Sequence, residues 1–182
     1  MAVRVTQLRY DTLVLDRAPI GHRSLFLSAL AGLIVACDQA LKHWAILSLP
    51  RDSGVATFLP GLALRYRENV GFAFGLLNRA PAPIADVFFV GVPIFALVLI
   101  ALIFINLRDN HFRTSLALTC ILAGALGNLI DRITLGAVID ILEWRLLGGS
   151  LVPAFNLADG SILFGLLLAA TGILTARPQA TT

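Results

Sequence analysis

The chain has 182 residues, of which 58% are hydrophobic and only 14% are charged, and its mean hydropathy is +0.86. This composition excludes an ordinary water-soluble domain, because such a domain covers its apolar core with a charged surface. The net charge of +3 is weak, and no aromatic-basic motif typical of RNA or DNA binding is present. The sequence therefore predicts a membrane protein that does not bind nucleic acid.

Four apolar runs are each long enough to cross a bilayer as a helix. They predict an all-α integral membrane protein that forms a single membrane domain, residues 1–182. Its four transmembrane helices are expected at residues 24–44, 84–105, 115–131 and 160–176.

The loop between the first two helices, residues 45–83, is too long to be a simple connector. Within it, Leu62 to Arg67 alternates larger apolar side chains with Ala63 and two arginines, after the turn signal Leu59-Pro60-Gly61. A period of two is typical of a strand with one apolar face. We expect a small β-rich subdomain with short strands in this loop; the alternative is chance alternation in a solvated loop.

The distribution of lysine and arginine indicates the orientation of the helices. Residues 1–23, the loop 106–114 and the C-terminal tail are short and have a higher density of basic residues than the other two loops. The positive-inside rule places such segments in the cytoplasm. We therefore expect residues 1–23 to be a cytoplasmic arm, both termini to be cytoplasmic, and residues 45–83 to be extracytoplasmic.

Connectivity brings most of the polar residues to one membrane face, because successive spans run in opposite directions. Charged groups at membrane depth cost about 2.5 to 3.5 kcal/mol each on insertion scales, so several at one depth should face each other or a wet cavity. The residues expected at the outer face are Asp38, Gln39, Lys42, Asn69, Asn128, Asp131, Arg132, Asp140, Glu143, Asn156 and Asp159.

Helical spacing groups some of these residues. Asp38 and Lys42 are four residues apart, and Asn128 precedes Asp131 and Arg132 by three and four, so each set shares a helix face. Ion pairs that only fix helix packing, Asp38 with Lys42 and Asp131 with Arg132, are the structural alternative to a functional role.

Asp140 and Asp159 have no basic neighbour of this kind in the sequence. Two carboxylates brought together in an apolar setting do not both ionise easily, so one keeps a proton while the other stays charged. Such a pair can activate water for attack on a peptide carbonyl. The alternative for Asn156 and Asp159 is a helix-capping role.

Other chemistries have weaker support. His22, His43 and His111 are scattered over both sides, and no His-Glu or paired-cysteine spacing is present, so we expect no metal and no cofactor. Cys37 and Cys120 lie within apolar runs and are interpreted as buried apolar side chains. A lipobox ending at Cys37 is an alternative, but a removable signal should not be followed by three more spans.

Five short motifs occur in one order along the chain, and together they resemble the bacterial lipoprotein signal peptidases, also called signal peptidase II. The motifs are Asp38-Gln39-x-x-Lys42-x-Trp44, Asn69-x-Gly71-x-Ala73-Phe74, Gly124-Ala125-x-Gly127-Asn128-x-x-Asp131-Arg132, Val138-Ile139-Asp140 and Phe155-Asn156-x-Ala158-Asp159-x-x-Ile162.

The resemblance implies a four-helix aspartyl protease of the bacterial cytoplasmic (inner) membrane. Such an enzyme acts among membrane lipids at the extracytoplasmic face, removes signal peptides from prolipoproteins by cutting before the diacylglyceryl-bearing cysteine, and is inhibited by globomycin. It implies Asp140 and Asp159 as the catalytic pair. It also implies supporting or substrate-binding roles for Asp38, Lys42, Asn69, Gly71, Asn128, Asp131, Arg132, Asn156 and Ala158.

Two rival functions stay open on the residues alone. A proton-coupled transporter would use the carboxylates to carry protons, although transporters place such groups near the bilayer midplane and often have repeated halves. A non-catalytic assembly factor would use them only for packing. A cleavage assay distinguishes the three.

Overall fold

The structure is a computed structural model, and it describes residues 21–51, 56–59, 61–70, 87–105, 112–145 and 151–174. The predicted arm is therefore described only from residue 21, and Gly71 lies outside the described residues. The helices are α1 (His22–Ser48), α2 (Val92–Ile105), α3 (Phe112–Leu135) and α4 (Leu157–Leu174), and a π-helical turn (Val87–Gly91) leads directly into α2. The strands are β1 (Ala56–Leu59), β2 (Leu62–Asn69), β3 (Val138–Arg145) and β4 (Leu151–Phe155).

The protein is mostly helical, and a helix is found in the described part of each of the four predicted segments. The predicted residues 84–86, 175 and 176 lie outside the described residues. Helix α1 extends beyond residues 24–44, and α3 extends beyond residues 115–131. Helix α4 begins at Leu157 rather than at residue 160. The apolar runs therefore locate the helices but do not fix their ends.

Three helices in the described part of the chain are long and apolar enough to cross a membrane: His22–Ser48, Val87–Phe104 and Phe112–Leu135. Helix α4 has a shorter apolar stretch, Leu157–Thr171. Many large apolar side chains on these helices are exposed, among them Phe95 and Leu163, as expected where lipid is the solvent. The prediction that Cys37 is buried was wrong, since it also lies on this exposed surface, whereas Cys120 is buried.

A four-stranded antiparallel sheet with strand order β1-β2-β3-β4 lies beyond the ends of the helices. The strand predicted at Leu62 is confirmed as β2, and the sheet also extends beyond the first loop, where the sequence placed the β-structure. Strands β3 and β4 come from the segment between α3 and α4. Val138 to Ile141 are all buried, so β3 lacks the alternation that reveals a half-exposed strand.

The sheet packs against the end of α1. Ala45 of α1, Tyr66 of β2, and Ile139 and Ile141 of β3 form a buried apolar cluster. Gly136, between α3 and β3, has a φ of +71° and donates its backbone N–H to the Arg132 carbonyl at 3.2 Å. This left-handed helix end favours glycine, and it turns β3 back beside the end of α3.

Glycines on α3 and α4 let the helices approach closely. A Cβ atom on Gly127 would lie 2.7 Å from a carboxylate oxygen of Asp38 on α1, and one on Gly165 would lie 2.6 Å from the Ala117 carbonyl oxygen. A Cβ on Gly124 would overlap the Ala158 carbonyl oxygen. Small residues at such positions are the usual means of close packing between membrane helices. They bring the polar ends of α1, α3 and α4 together.

Candidate active site

The predicted polar residues meet where the sheet joins the ends of α1 and α3 and the start of α4. Several of them are almost completely buried: Asp38, Lys42, Asn128, Asp131, Asp140 and Asn156. Asp140, predicted in a loop, lies in strand β3, and Asn69 is the last residue of β2. The sheet therefore contributes directly to the site.

The Lys42 ammonium is the centre of a buried polar cluster. It lies 2.7 Å from Asp38 Oδ2 and 2.8 Å from Asp131 Oδ2, and it donates a 2.9 Å hydrogen bond to Asn128 Oδ1. Three acceptors match the three N–H donors of an ammonium group. The lysine therefore links α1 to α3 with all its donors satisfied.

Asp131 pairs with Lys42 rather than with Arg132, its partner in the structural alternative. Asp131 also accepts hydrogen bonds from Gln39 Nε2 at 2.8 Å and from the Ile139 backbone N–H at 3.1 Å. Adjacent residues on a helix point in different directions, so sequence proximity did not make Arg132 the partner. Asp131 thus fixes the start of β3 against α1 and α3.

Asp38 joins the cluster to helix α4. Its Oδ1 accepts a 2.9 Å hydrogen bond from the backbone N–H of Ala158, one of the donors that the start of a helix leaves unpaired. The predicted pair of Asp38 with Lys42 is therefore present and also anchors α4. Ala158 contributes through its backbone, and its side chain is completely buried.

Asn156 and Asp159 form a reciprocal cap at the start of α4. The Asp159 backbone N–H donates to Asn156 Oδ1 at 2.8 Å, and the Asn156 backbone N–H donates to Asp159 Oδ2 at 3.2 Å. The capping alternative therefore describes the geometry correctly. It does not exclude a chemical role, because Asp159 Oδ1 also accepts a 2.7 Å hydrogen bond from Asn128 Nδ2.

Asp140 is held by two amide side chains. Asn69 Nδ2 donates to Asp140 Oδ2 and Asn156 Nδ2 donates to Asp140 Oδ1, each at 3.0 Å. Burial raises the pKa of Asp140 from 3.8 to about 6, helped by the negative charge of Asp159 and opposed by the two amide hydrogen bonds and by Lys42. Asp140 therefore gains or loses its proton near pH 6.

One residue, Asn156, holds both of the predicted catalytic carboxyl groups. Its side-chain nitrogen contacts Asp140, while its side-chain oxygen and backbone N–H contact Asp159. Among the described residues, no ion pair within 4 Å involves either aspartate. The structure thus brings together two carboxyl groups that amides, rather than cations, position.

Two further polar side chains lie outside this pair. The Arg132 guanidinium stacks on the Phe89 ring, 5.0 Å from its centroid. Sequence reasoning missed Phe89, because an aromatic residue in an apolar run carries no signal of such a contact. Glu143 forms a 2.9 Å ion pair with Arg65 of β2 and strengthens the β2–β3 pairing.

The arrangement fits acid–base chemistry on a neutral group such as a peptide bond. Two carboxyl groups, one with a pKa near neutrality, can donate and accept protons in turn. No group of three or more His, Cys, Asp or Glu side chains within the described residues has metal-binding geometry, and the expected absence of a metal stays a prediction. The Ser161 hydroxyl donates to the Cys120 carbonyl at 2.8 Å, a bond within the helix packing.

Comparisons with known proteins agree on one family. A family model described as signal peptidase (SPase) II matches residues 30–175. A lipoprotein signal peptidase of Syntrophus aciditrophicus is 38% identical over 143 residues, covering 75% of this chain and 84% of the relative. One of Geobacter sulfurreducens is 41% identical over 156 residues, covering 82% and 91%.

A solved structure described as "Bacterial membrane enzyme structure by the in meso method at 2.3 A resolution" has the same fold. It superposes with a TM-score of 0.74 at 26% sequence identity, and the match covers 86% of this chain and 93% of the other.

Proposed function

Because the chain belongs to the signal peptidase II family and is therefore a membrane peptidase, we propose that it cuts diacylglyceryl-modified prolipoproteins before the lipid-bearing cysteine, with Asp140 and Asp159 as its catalytic pair. One observation gives the strongest support for the aspartic mechanism. Asn156 hydrogen-bonds to both carboxyl groups, and within the described residues neither forms an ion pair that would keep it permanently charged.

In the proposed reaction one carboxylate takes a proton from water as the water oxygen bonds to the scissile carbonyl carbon. The other carboxyl group gives its proton to the carbonyl oxygen, so a neutral tetrahedral gem-diol forms. The newly protonated carboxyl group then gives its proton to the departing nitrogen, and the other carboxylate takes one from a hydroxyl of the gem-diol as the C–N bond breaks. The products are a carboxylic acid and an amine, and the pair recovers its single proton.

The supporting residues of this proposal position the pair. Asn69 and Asn156 hold Asp140, and Asn128 holds Asp159. Lys42, Asp38 and Asp131 form the ion cluster behind them. We assign substrate contact to Arg132 and Gly71, of which Gly71 is outside the described residues.

We also propose four membrane spans, with both termini in the cytoplasm and the site at the extracytoplasmic face of the bacterial inner membrane. The lipid-bearing substrate supports this placement. Withdrawing acyl chains from lipid costs about 0.8 kcal/mol per CH₂, so the carboxyl pair should lie at headgroup depth. We extend the proposal to contact with membrane lipids and to inhibition by globomycin.

A cleavage assay tests the catalytic proposal. Purified Asp140→Asn and Asp159→Asn variants are incubated with a lipid-modified precursor, and Glu68→Gln, an exposed acid of the same sheet, is the matched control. We expect each site variant to lose cleavage at least about 1000-fold, while the control cuts normally. The proposal would be contradicted if either site variant still cut the precursor. It would also be contradicted if the wild type did not cut it.

The topology has its own test. The variant carries Arg51→Cys, just beyond the end of α1, together with Cys37→Ala and Cys120→Ala, so that it has one cysteine. A membrane-impermeant maleimide added to intact spheroplasts is expected to label it. Labelling only after the membrane is broken would place this end of α1 in the cytoplasm and refute the proposed orientation.

A further inference from the structure

The amide groups around the two aspartates cannot be reversed without losing hydrogen bonds. An ammonium group has donors only, so the atom of Asn128 that meets Lys42 Nζ at 2.9 Å must be its oxygen. The nitrogen of the same amide must then point to Asp159, 2.7 Å away. Because Lys42 fixes the orientation of the Asn128 amide, the Asn128 N–H group donates to Asp159.

The orientation of Asn128 is reinforced by the ion cluster. Lys42 is held between Asp38 and Asp131 at 2.7 and 2.8 Å and is 2% exposed. A buried ammonium with these partners cannot turn away without leaving two carboxylates unpaired. Asn128 is therefore polarised by a fixed positive charge, which strengthens its bond to Asp159.

The surroundings of Asp140 differ in two respects. The Asn156 amide that contacts Asp140 has its oxygen on a neutral backbone N–H, so no cation polarises it. Asp140 is 2% exposed and lies in a strand, whereas Asp159 is only partly buried and lies in the first turn of α4. The start of a helix favours a negative charge.

We propose that Lys42 is a positioning residue for peptide cleavage. Acting through the Asn128 amide, it keeps Asp159 ionised, so that Asp159 is the general base and Asp140 the general acid in the first step. The inference rests on the proposed function and adds to it a division of roles between the two aspartates.

Other charged groups lie around this part of the site, and Arg67 of β2 is the cross-strand neighbour of Asp140. Asp38 on α1 and Asp131 on α3 are each paired with Lys42, and Arg132 on α3 stacks on Phe89. None of them forms an ion pair within 4 Å with Asp140 or Asp159 among the residues described. Their amide partners, their burial and the helix start all differ between the two aspartates.

Two matched substitutions test the roles through the pH profile of kcat/KM on a lipid-modified precursor. Asn128→Asp keeps an acceptor for Lys42 but places a carboxylate next to Asp159. Asn69→Asp places a carboxylate next to Asp140. The acid limb of the profile reports the base and the alkaline limb reports the acid. We expect Asn128→Asp to move the acid limb to higher pH by about one unit or more, and Asn69→Asp to move mainly the alkaline limb.

The contribution of Lys42 is tested with Lys42→Met combined with Asp131→Asn, which leaves the net charge of the cluster unchanged. We expect the acid limb to move to higher pH again, a result that a purely structural role of Lys42 would not produce. A wild-type profile from this folded double variant would overturn the role of Lys42. If the double variant does not fold, Asn128→Asp decides: an unchanged acid limb, or a larger shift of the alkaline limb, overturns the proposal.

Failure of the division of roles differs from failure of the proposed function. If both variants still cut, but Asn128→Asp moves mainly the alkaline limb and Asn69→Asp mainly the acid limb, the two aspartates have the opposite roles and the aspartic mechanism stands. Cleavage by the Asp140→Asn or Asp159→Asn enzyme would instead remove the mechanism itself.

Discussion

The Asp159 backbone N–H donates a 2.8 Å hydrogen bond to the Asn156 side chain, and the Asn156 backbone N–H donates a 3.2 Å bond back to the Asp159 carboxylate. The residues that begin helix α4 are therefore the same residues that carry the proposed chemistry. Because Asn156 also reaches Asp140, the cap sets the relative position of the two carboxyl groups. A change at Asn156 should therefore affect both folding and cleavage.

Asn156→Ser should separate the two effects. Serine is a good capping residue and can still accept the Asp159 N–H bond, but it lacks the nitrogen that donates to Asp140 and to the Ile139 carbonyl. We expect a loss of about 1 to 2 kcal/mol in the free energy of unfolding and a fall in kcat of at least about tenfold. Asn156→Ala should unfold more easily still. A serine variant with wild-type kcat would show that the bond to Asp140 is not needed.

Lys42→Met should be among the most destabilising single substitutions in the chain. It leaves Asp38 and Asp131 buried without their cation, and breaking a buried pair in this way costs about 3 to 5 kcal/mol. Arg51→Met is the control, because the Arg51 pair with Glu68 is exposed and such pairs contribute about 1 kcal/mol or less. Thermal unfolding in detergent measures both, and equal losses would contradict the central role of Lys42.

Gly127→Ala should disturb the site by displacing Asp38. The added Cβ would lie 2.7 Å from Asp38 Oδ2, so the carboxylate that anchors Ala158 must move. We expect a net loss of about 1 to 2 kcal/mol in unfolding free energy, since overpacking exceeds the helical advantage of alanine. Gly32→Ala, with no atom within 4 Å of its added Cβ, should be neutral or stabilising. Equal unfolding temperatures for the two variants would refute close packing at Gly127.

Asp140→Asn should change how stability depends on pH. The pKa of Asp140 is raised by folding from 3.8 to about 6, so its contribution to stability is present below pH 4 and is lost as pH rises through 6. Above pH 7 the buried charge costs about 3 kcal/mol, a cost that asparagine does not have. The unfolding temperature of the variant should therefore rise relative to wild type between pH 4 and pH 7. A difference that stays constant over this range would contradict the raised pKa.

Much of the site was predictable, because consecutive helices that run in opposite directions bring the ends of α1 and α3 and the start of α4 together. Connectivity therefore grouped Asp38, Asn128 and Asp159 without coordinates. The partner of Asp131 was not predictable in this way. Its choice of Lys42 over the adjacent Arg132 depends on how α1 packs against α3, which is a relation between distant segments.

By itself, the sequence determined the helices, the grouping of the polar residues at one set of helix ends, and the isolation of Asp140 and Asp159 from local cations, because apolar runs and connectivity can be read along the chain. Only the tertiary structure decided that β3 joins β2 in one sheet and that Asn156 links the two carboxyl groups. Only it decided that Lys42 orients Asn128. Hydrogen bonds between segments remote in sequence depend on packing geometry, which no run of neighbouring residues encodes.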